Sequence, residues 1–225
     1  MKSLKVQNLF DLKNTIAKDF LLDFEYPWEV LPSIKNFVLK IIEKLDKNKF
    51  YLVCEDVWAS KNSKISKNSF ISGPTIIDDC AEIRFGAFIR GGVIIGKNTV
   101  IGNSTEIKNS ILFDKVQAPH FNYIGDSILG YKTHIGAGVI LSNLKSDKKN
   151  IIIKYKNLRE NLKIETGLRK FGAILADNVE IGCNSVLNPG TIICKNSNIY
   201  PLSMVRGIIG ENKILKNNNI LIDKI

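Results

Sequence analysis

Aliphatic residues recur every six positions along much of this chain. Two runs share the spacing: Ile65, Ile71, Ile77, Ile83, Ile89, Ile95, Ile101 and Ile107, then Leu175, Ile181, Leu187, Ile193, Ile199 and Val205. A fixed internal period constrains architecture before any other feature does. Six residues fit neither the alternation of a single strand nor the 3.6-residue turn of a helix. The period predicts a mainly β coil with three flat sides, so that about eighteen residues complete one coil.

Stacked coils are held together by their inward side chains. Each inward Ile or Leu contributes roughly 1.5–3 kcal/mol when it leaves water, and no single coil can bury its own inner face. Small or β-branched residues follow each of the first seven isoleucines by four positions, where a large side chain would crowd a corner: Ser69, Thr75, Ala81, Ala87, Val93, Thr99 and Thr105.

The chain divides into three segments. Residues 1–56 form a helical N-terminal cap, because apolar residues from Leu9 to Leu21 and again from Ile34 to Leu45 have helical spacing. This segment either covers the exposed end of the stack, the interpretation we prefer, or forms a small recognition domain. Residues 57–207 form the coils, interrupted by an inserted loop at about 144–172. Residues 208–225 form a C-terminal tail, as a strand or a loose end.

The inserted loop breaks the six-residue spacing and is rich in charge. We predict a hairpin that runs out through residues 151–155 and returns near 165–171. Long insertions in solenoids map to loops on one face, which is often the binding face.

The amino-acid composition limits the kinds of binding partner that we expect. Lys and Arg total 32 against 22 Asp and Glu, a net charge of +10. The excess is either a usage bias on solvated faces or an attraction for anionic small molecules such as phosphosugars or a nucleotide-bearing cofactor. No basic run is interleaved with aromatic residues, so nucleic acid is not an expected partner.

The four cysteines and the N-terminal residues indicate in which cellular compartment we expect the protein. Cys54, Cys80, Cys183 and Cys194 lack the CxxC spacing of metal or redox sites, which predicts a reduced, intracellular chain. The first twenty residues contain no long apolar stretch. We therefore expect a cytoplasmic protein with no secretory signal and no membrane span.

One histidine is the centre of the candidate catalytic and binding residues. His120 and His134 are the chain's two histidines, and His120 lies where the six-residue spacing stops after Ile107. Local breaks in a regular repeat are where a site is expected. Arg90 and Lys108 are one coil apart and are predicted to stack on one face, where they favour a phosphate. Glu106 and Asp79 are alternative salt-bridge partners for this pair.

Several stretches resemble a known family: FIRGG, NSTEIKNS, PHFNYIGDSILG, HIGAG and CNSVLNPGT. Residues 82–206 resemble the left-handed β-helix acetyltransferase domain of the bifunctional N-acetylglucosamine-1-phosphate uridyltransferase/glucosamine-1-phosphate acetyltransferases. The whole chain, with NLFDL and EYPWEVLP near its start, is similar to standalone proteins labelled UDP-N-acetylglucosamine pyrophosphorylase. The implied fold is a left-handed parallel β-helix of hexapeptide repeats.

The resemblance also implies roles for individual residues. It makes His120 the general base on the sugar amine, Arg90 and Lys108 the ligands of the sugar phosphate, and Tyr123, Asn143 and His134 contacts of the sugar. It puts Ala137 beside the path of acetyl-CoA, to which we also assign Cys183. Acetyl-CoA is then a co-substrate, no tightly bound cofactor is expected, and the site lies between subunits of a homotrimer. A backbone N–H near Gly136–Gly138 is a candidate for stabilising the developing oxyanion.

The chain departs from the family at the sugar end. His134 stands where the family usually has Asn, and Leu144 stands where an aromatic residue follows the Asn. Both departures bear on which acceptor is used. Residues 1–60 contain no glycine and so lack the Gly-rich nucleotide loop of a pyrophosphorylase.

The prediction is therefore an acetyl-CoA-dependent N-acetyltransferase acting on an amino sugar phosphate or a nucleotide-linked amino sugar. Two alternatives stay open: a trimer that binds nucleotide sugar or serves as a scaffold without catalysis, and the pyrophosphorylase activity itself. A zinc enzyme with three histidine ligands is disfavoured, because two histidines 14 residues apart would need Cys183 or Cys194 to complete a site.

Overall fold

The six-residue repeat builds a parallel β-helix with three flat faces and about eight coils. The computed structural model describes residues 2–156, 161–217 and 220–224. The predicted fold class, mainly β with hexapeptide coils and an N-terminal helical region, is confirmed.

Three short helices and three 3₁₀ turns come before the strands. The helices are α1 (Val6–Leu9), α2 (Lys18–Leu22) and α3 (Ile34–Ile42), and the 3₁₀ turns are Lys2–Leu4, Leu12–Asn14 and Pro27–Ser33. The strands, in chain order, are β1 (Phe50–Cys54), β2 (Val57–Ser60), β3 (Lys64–Ile65), β4 (Phe70–Ile71), β5 (Thr75–Ile77), β6 (Glu82–Ile83), β7 (Phe88–Ile89), β8 (Val93–Ile95), β9 (Val100–Asn103), β10 (Glu106–Leu112), β11 (Gln117–His120), β12 (Tyr123–Leu129), β13 (His134–Ile135), β14 (Ile140–Leu141), β15 (Ile152–Lys156), β16 (Asn161–Glu165), β17 (Ala173–Leu175), β18 (Glu180–Ile181), β19 (Val186–Leu187), β20 (Thr191–Ile193), β21 (Asn198–Ile199), β22 (Met204–Val205), β23 (Ile208–Ile209), β24 (Lys213–Lys216) and β25 (Ile220–Asp223).

Each face is a ladder of parallel strands taken from successive coils. Face 1 contains β2, β5, β8, the second halves of β10 and β12, then β17, β20 and β23. Face 2 contains β3, β6, β9, β11, β13, β18, β21 and β24. Face 3 contains β4, β7, the first halves of β10 and β12, then β14, β19 and β22. The chain passes from face 1 to face 2 to face 3 in every coil.

The predicted columns of inward aliphatics form the core. Ile77, Ile95, Leu112, Leu129 and Leu175 are fully buried, and they belong to one cluster that runs through the stack. The partly buried Ile65 and Ile71 pack against this cluster at its first coil.

Two coils in the middle are one residue shorter than the coils before them. Val93 pairs with Ser110, and Glu106 pairs with Tyr123, so the offset between coils is 17 residues there and 18 in the first coils. β10 and β12 pass from face 3 to face 1 as continuous strands, and one residue with positive φ, Asn109 or Asp126, makes the corner. The spacing therefore continues after Ile107 in a shortened form, where the sequence suggests a break.

The helical region lies along face 1 instead of over the end of the stack, where we predicted a cap. Its apolar side chains share one cluster with the outward-facing residues of face 1: Ile76, Ile94, Ile111, Ile128, Ile174 and Ile192. This column of isoleucines would otherwise face water over six coils, so its burial gives the helical region its position.

The inserted loop contains the predicted hairpin. β15 and β16 pair antiparallel, and Leu144 forms an isolated bridge with Lys170 where the loop begins and ends. Residues 157–160 of the insertion lie outside the described residues. Gly190 lets the hairpin lie close to the coils, because a Cβ there would come within 2.5 Å of Ile151 Cγ2.

The coils continue past residue 207, where the C-terminal tail is predicted to begin. β23 and β24 add strands to faces 1 and 2, and β25 turns back antiparallel on β24. Among the described residues no helix is long and apolar enough to cross a bilayer.

Candidate active site

The stacking of Arg90 on Lys108 is present at the end of face 3. Ile89 pairs with Ile107, and the backbone N–H of Arg90 donates to the carbonyl of Ile107, so the two cations follow equivalent strand positions. The stack arises because the coil between them has the full 18 residues.

Each cation has a carboxylate partner. Arg90 Nη1 lies 2.7 Å from Glu106 Oε1, and its guanidinium lies 5.8 Å from the centre of the Phe88 ring. Lys108 Nζ lies 2.9 Å from Asp126 Oδ2. The first pair is open to solvent, with side-chain exposures of 46% and 32%, whereas the second is mostly buried at 18% and 7%. Arg90 is therefore the cation that an incoming anion meets first.

Asp126 links three coils. Its carboxylate accepts hydrogen bonds from Lys108, from the Asn109 amide at 2.8 Å, and from the Asn143 amide. Asn109, Asp126 and Asn143 are spaced by 17 residues, the offset of the shortened coils, which puts them at one corner. The Asn109 amide also donates to the carbonyl of Leu31 at 3.1 Å, so the helical region reaches this corner.

Tyr123 lies on face 3 beside this corner. A Cβ on Gly125 would come within 2.7 Å of the Tyr123 hydroxyl and 2.9 Å of the Asn143 amide, so the glycine leaves room for both groups. Burial raises the pKa of the Tyr123 phenol, and the negative charges of Asp126 and Glu106 raise it further, against the opposing effects of Arg90 and Asn143. The phenol is a neutral hydrogen-bonding group at physiological pH.

His120 lies at the opposite corner of face 3. It ends β11 on face 2, its side chain is exposed, and its ring lies 6.5 Å from the ring of Phe121. Phe121, which has positive φ, and Asn122 turn the chain at this corner, and Tyr123 begins the strand of face 3 that follows. An acceptor that reaches from Lys108 to His120 therefore lies across face 3 and passes Tyr123.

Ala137 and Cys183 continue the His120 corner along the stack. The N–H of Gly138 donates to the carbonyl of His120, and the N–H of Asn184 donates to the carbonyl of Ala137. Because Gln117 pairs with His134 and His134 pairs with Glu180, His120, Ala137 and Cys183 have equivalent positions on three successive coils. An extended ligand can follow this corner.

The Gly136–Gly138 stretch offers one backbone donor for an oxyanion. The N–H of Gly136 donates to Ile181 at 2.7 Å, and the N–H of Gly138 donates to His120 at 3.1 Å. Within residues 2–156, 161–217 and 220–224, the Ala137 N–H has no acceptor. Of the stretch predicted from sequence, Ala137 is therefore the residue whose N–H is available.

His134 is not brought to the Lys108 and Tyr123 cluster. It begins β13 on face 2, exposed, between Gln117 of the coil before and Glu180 of the coil after. Its predicted contact with the sugar stays a prediction.

Sequence reasoning did not single out Asp126 or Asn109. The signal was the 17-residue spacing of Asn109, Asp126 and Asn143, which appears once the shorter coil is known. Of the two proposed salt-bridge partners, Glu106 binds Arg90, whereas Asp79 accepts hydrogen bonds from Ser60 and Asn62. Within the described part of the chain, no group of three or more His, Cys, Asp or Glu side chains is arranged to hold a metal ion.

Comparison with known proteins gives relatives of one kind. Residues 71–156 match the family model described as the GMPPB C-terminal domain. The chain is 35% identical over 210 residues to the bifunctional protein GlmU of Methanococcus maripaludis strain S2, which covers 92% of this chain and 50% of that protein. It is 32% identical over 107 residues to the bifunctional sugar-1-phosphate nucleotidylyltransferase/acetyltransferase of Sulfurisphaera tokodaii, 48% of this chain and 26% of that protein. The chain thus spans half or less of the curated relatives it matches.

Solved structures show a more distant likeness. The N-acyltransferase AntD from Bacillus cereus, in complex with dTDP-4-amino-4,6-dideoxyglucose and coenzyme A, is 18% identical, with a TM-score of 0.37 over 81% of this chain and 88% of that one. With the repeat, the coils and the curated relatives taken together, the chain is a hexapeptide-repeat β-helix protein that is similar to part of a bifunctional GlmU protein and of a bifunctional sugar-1-phosphate nucleotidylyltransferase/acetyltransferase.

Proposed function

We propose that this chain is an acetyl-CoA-dependent N-acetyltransferase whose acceptor is an amino sugar phosphate or a nucleotide-linked amino sugar. The observation that carries the proposal is the arrangement on face 3: two stacked cations at one corner, an exposed histidine at the other, and Tyr123 between them. One curated relative is named a bifunctional sugar-1-phosphate nucleotidylyltransferase/acetyltransferase, which supports the proposal. Four free cysteines agree with the reaction taking place in the cytoplasm.

The proposed reaction moves an acetyl group from sulfur to nitrogen. The amine of the acceptor attacks the thioester carbonyl, and a ring nitrogen of His120 accepts the proton that the amine loses. The tetrahedral oxyanion accepts a hydrogen bond from the Ala137 N–H. The C–S bond then breaks, the thiolate leaves and takes up the proton, and the amide product remains.

The acceptor is positioned at the opposite corner of face 3 from His120. The acceptor's phosphate binds Arg90, which releases Glu106 from its exposed ion pair, and Lys108 contributes a second charge while Asp126 holds it in place. Tyr123 and Asn143 then meet the hydroxyl groups of the sugar. Binding the phosphate at the opposite corner from His120 contributes to catalysis by orienting the acceptor, not by forming or breaking bonds.

A homotrimer with the site between subunits is part of the proposal. Face 3 supports it, because exposed apolar residues stand in register along its outer side: Phe70, Phe88, Val186 and Met204. Such a stripe on a flat parallel sheet is suited to contact another copy. Light scattering should give three times the chain mass of 25.2 kDa; a monomer at working concentrations would contradict this part.

The test is release of free thiol from acetyl-CoA with glucosamine-1-phosphate and nucleotide-linked amino sugars as acceptors. His120→Ala should lower kcat by roughly 10²–10⁴ without changing the melting temperature, since the side chain is exposed and belongs to neither apolar cluster. Arg90→Ala should raise the KM of the acceptor and leave the KM of acetyl-CoA unchanged.

Two results would move the protein to another class. Binding of a nucleotide sugar without thiol release from any acceptor indicates a non-catalytic binding or scaffold protein. Formation of pyrophosphate from UTP and a sugar phosphate indicates a nucleotidyltransferase instead.

A further inference from the structure

The inserted hairpin encloses a cavity against the last coils. This hairpin cavity has a volume of about 630 Å³, and its lining includes Ser142, Leu144, Lys145, Ile152, Lys154 and Arg206. The size lies within the range of small-molecule sites, roughly 300–1,000 Å³.

The hairpin's close approach to the coils depends on Gly190, because a Cβ there would come within 2.5 Å of Ile151 Cγ2. Near the other end of the cavity, the carbonyl of Lys154 lies 4.0 Å from where a Cβ on Gly207 would be, an ordinary contact distance. Ile151 and Ile153 are buried beneath the hairpin, so its first strand is anchored to the stack. The cavity is therefore a defined space in the fold, with one wall from the insertion and one from the β-helix.

The charge of the lining favours an anion. Lys145 pairs with Asp147 at 3.2 Å. Lys154 and Arg206 also line the cavity, and neither has a carboxylate partner among the residues that the structure describes. Arg206 makes one long contact to a neutral group, 3.4 Å to the Asn188 amide oxygen. Two uncompensated cations on one cavity are suited to bind phosphate oxygens.

The lining also includes apolar surfaces that are open to a ligand, beside the polar Ser142, Ser146 and Asn188. Leu144 and Ile152 are exposed by 38% and 42%, and Pro189 adds a third apolar surface. Apolar walls beside two free cations fit a ligand in which a flat or apolar group is joined to phosphate, and a nucleoside phosphate has that chemistry.

The cavity continues the line of the candidate active site. Lys108 pairs with Gly125, and Ser142 follows Leu141, which pairs with Ile124. Asn188 and Arg206 follow Leu187 and Val205, which pair with each other. Lys108, Gly125, Ser142, Asn188 and Arg206 thus stand at equivalent positions on five successive coils. Ser142 is two strand spacings from Lys108, about 10 Å, and Arg206 is four, about 19 Å. A nucleotide-linked acceptor bound in the cavity would therefore place its phosphates on Arg206 and Lys154 instead of on Arg90 and Lys108.

We propose that the hairpin cavity binds a nucleoside diphosphate. The phosphates contact Arg206 and Lys154, and the nucleoside packs on Leu144, Ile152 and Pro189. The ligand is either the nucleotide portion of the acceptor or a free nucleotide. The binding assignment stands apart from catalysis, and only the choice between these two sources rests on the proposed acetyl transfer.

Calorimetry with uridine diphosphate as the probe tests the site. Arg206→Gln and Lys154→Gln should each weaken binding by about tenfold. Lys35→Gln, which removes one exposed charge from α3, should leave binding unchanged. Equal binding by all variants would overturn the site. Inorganic pyrophosphate binding as tightly as uridine diphosphate would overturn the role of the nucleoside.

Kinetics separate the two sources. If Arg206→Gln raises the KM of a nucleotide-linked amino sugar and leaves that of glucosamine-1-phosphate unchanged, the cavity holds the nucleotide of the acceptor. If uridine diphosphate binds without competing with either acceptor, the ligand is a free nucleotide. Binding that is lost in the cavity variants, in a protein that releases no thiol with any acceptor, would refute the acetyl transfer and leave the cavity assignment standing.

Discussion

Asp126 determines how firmly one cation of the site is held. A buried carboxylate is stable only when its charge is matched by donors, and here one ammonium and two amides provide the match. Glu106 is more exposed and has Arg90 as its side-chain partner. The two carboxylates thus hold their cations to different degrees. Asp126 keeps Lys108 in one position, whereas Arg90 can exchange Glu106 for a phosphate.

We expect Lys108→Met to cost stability and Arg90→Met to cost little. Methionine keeps the apolar stem, so each change isolates the charge. Loss of the Lys108 charge leaves Asp126 buried without a cation, which should lower the free energy of unfolding by about 1–3 kcal/mol. Loss of the Arg90 charge breaks an exposed pair and should cost less than about 1 kcal/mol. Urea unfolding measures both. A cost for Arg90→Met that equals or exceeds the cost for Lys108→Met would contradict this account.

At the scale of residues, the sequence predicts contacts between side chains that are one full coil apart. It misses contacts that depend on a shortened coil. Arg90 and Lys108 are 18 apart and stack as expected. The partners of Asp126 cannot be inferred from a period of six, because one residue is missing from the coil between them. The role of Asp126 follows from the corner that the shorter coil makes, which depends on three-dimensional register.

The coil corners depend on close approach of neighbouring backbones. Gly102 in β9 has no room for a side chain, because a Cβ there would overlap the backbone of Pro119 in the next coil. Gly210 is a matched contrast: the nearest atoms to its Cβ would be the flexible stem of Lys213, at 3.8 and 3.9 Å. Coil spacing is therefore set locally by residues that lack a side chain.

Gly102→Ala should destabilise the β-helix, and Gly210→Ala should not. Forcing apart two coils that bond through β9 and β11 should cost about 1–3 kcal/mol, whereas the Gly210 change should stay within about 0.5 kcal/mol. The comparison is made by thermal and urea unfolding of the two variants beside the parent chain. Equal stability of both variants would show that the coils can separate locally without cost.

The sequence predicts elements well where a local pattern defines them. The coils and the hairpin follow from the six-residue spacing and from its interruption at 144–172. The continuous β10 and β12 do not, because a strand that bends through a corner looks like an interruption of the period. Positive φ at Asn109 and Asp126 is the physical reason, and asparagine and aspartate are the side chains that adopt it most readily.

At the scale of the whole molecule, the helical region and the β-helix share one apolar cluster. The sequence shows the helices but not where they pack, since an end cap and a side cover present the same amphipathic pattern. A signal was present in the paired aliphatics of face 1, such as Ile76 with Ile77 and Ile94 with Ile95, where one residue faces in and the other faces out. Two buried sides to one strand imply a second layer.

The junction of these two parts contains a carboxyl group that should make stability depend on pH. Asp78 is buried, its Oδ1 accepts from the Asp79 N–H at 2.7 Å, and its Oδ2 has no partner among the described residues. Burial raises the pKa of Asp78, with opposing contributions from the Asp79 N–H and Lys97 and supporting ones from Asp114 and Asp79. Asp79 is the contrast, since hydrogen bonds from Asn62 and Ser60 lower its pKa.

The two neighbouring aspartates should therefore have opposite effects on how stability changes with pH. A raised pKa in the folded state means that ionisation of Asp78 costs stability, so its contribution is lost as pH rises from about 4, the ordinary aspartate value, through the raised pKa. Asp78→Asn should remove that decline and raise the melting temperature at pH 7 relative to the parent. Asp79 contributes stability above its ordinary value, so Asp79→Asn should lower the melting temperature at pH 7 and have less effect at pH 4. Melting curves of the three proteins between pH 4 and pH 8 make the comparison. Parallel curves for the parent and Asp78→Asn would show that Asp78 titrates alike in the folded and unfolded chains, and that the junction accommodates its charge.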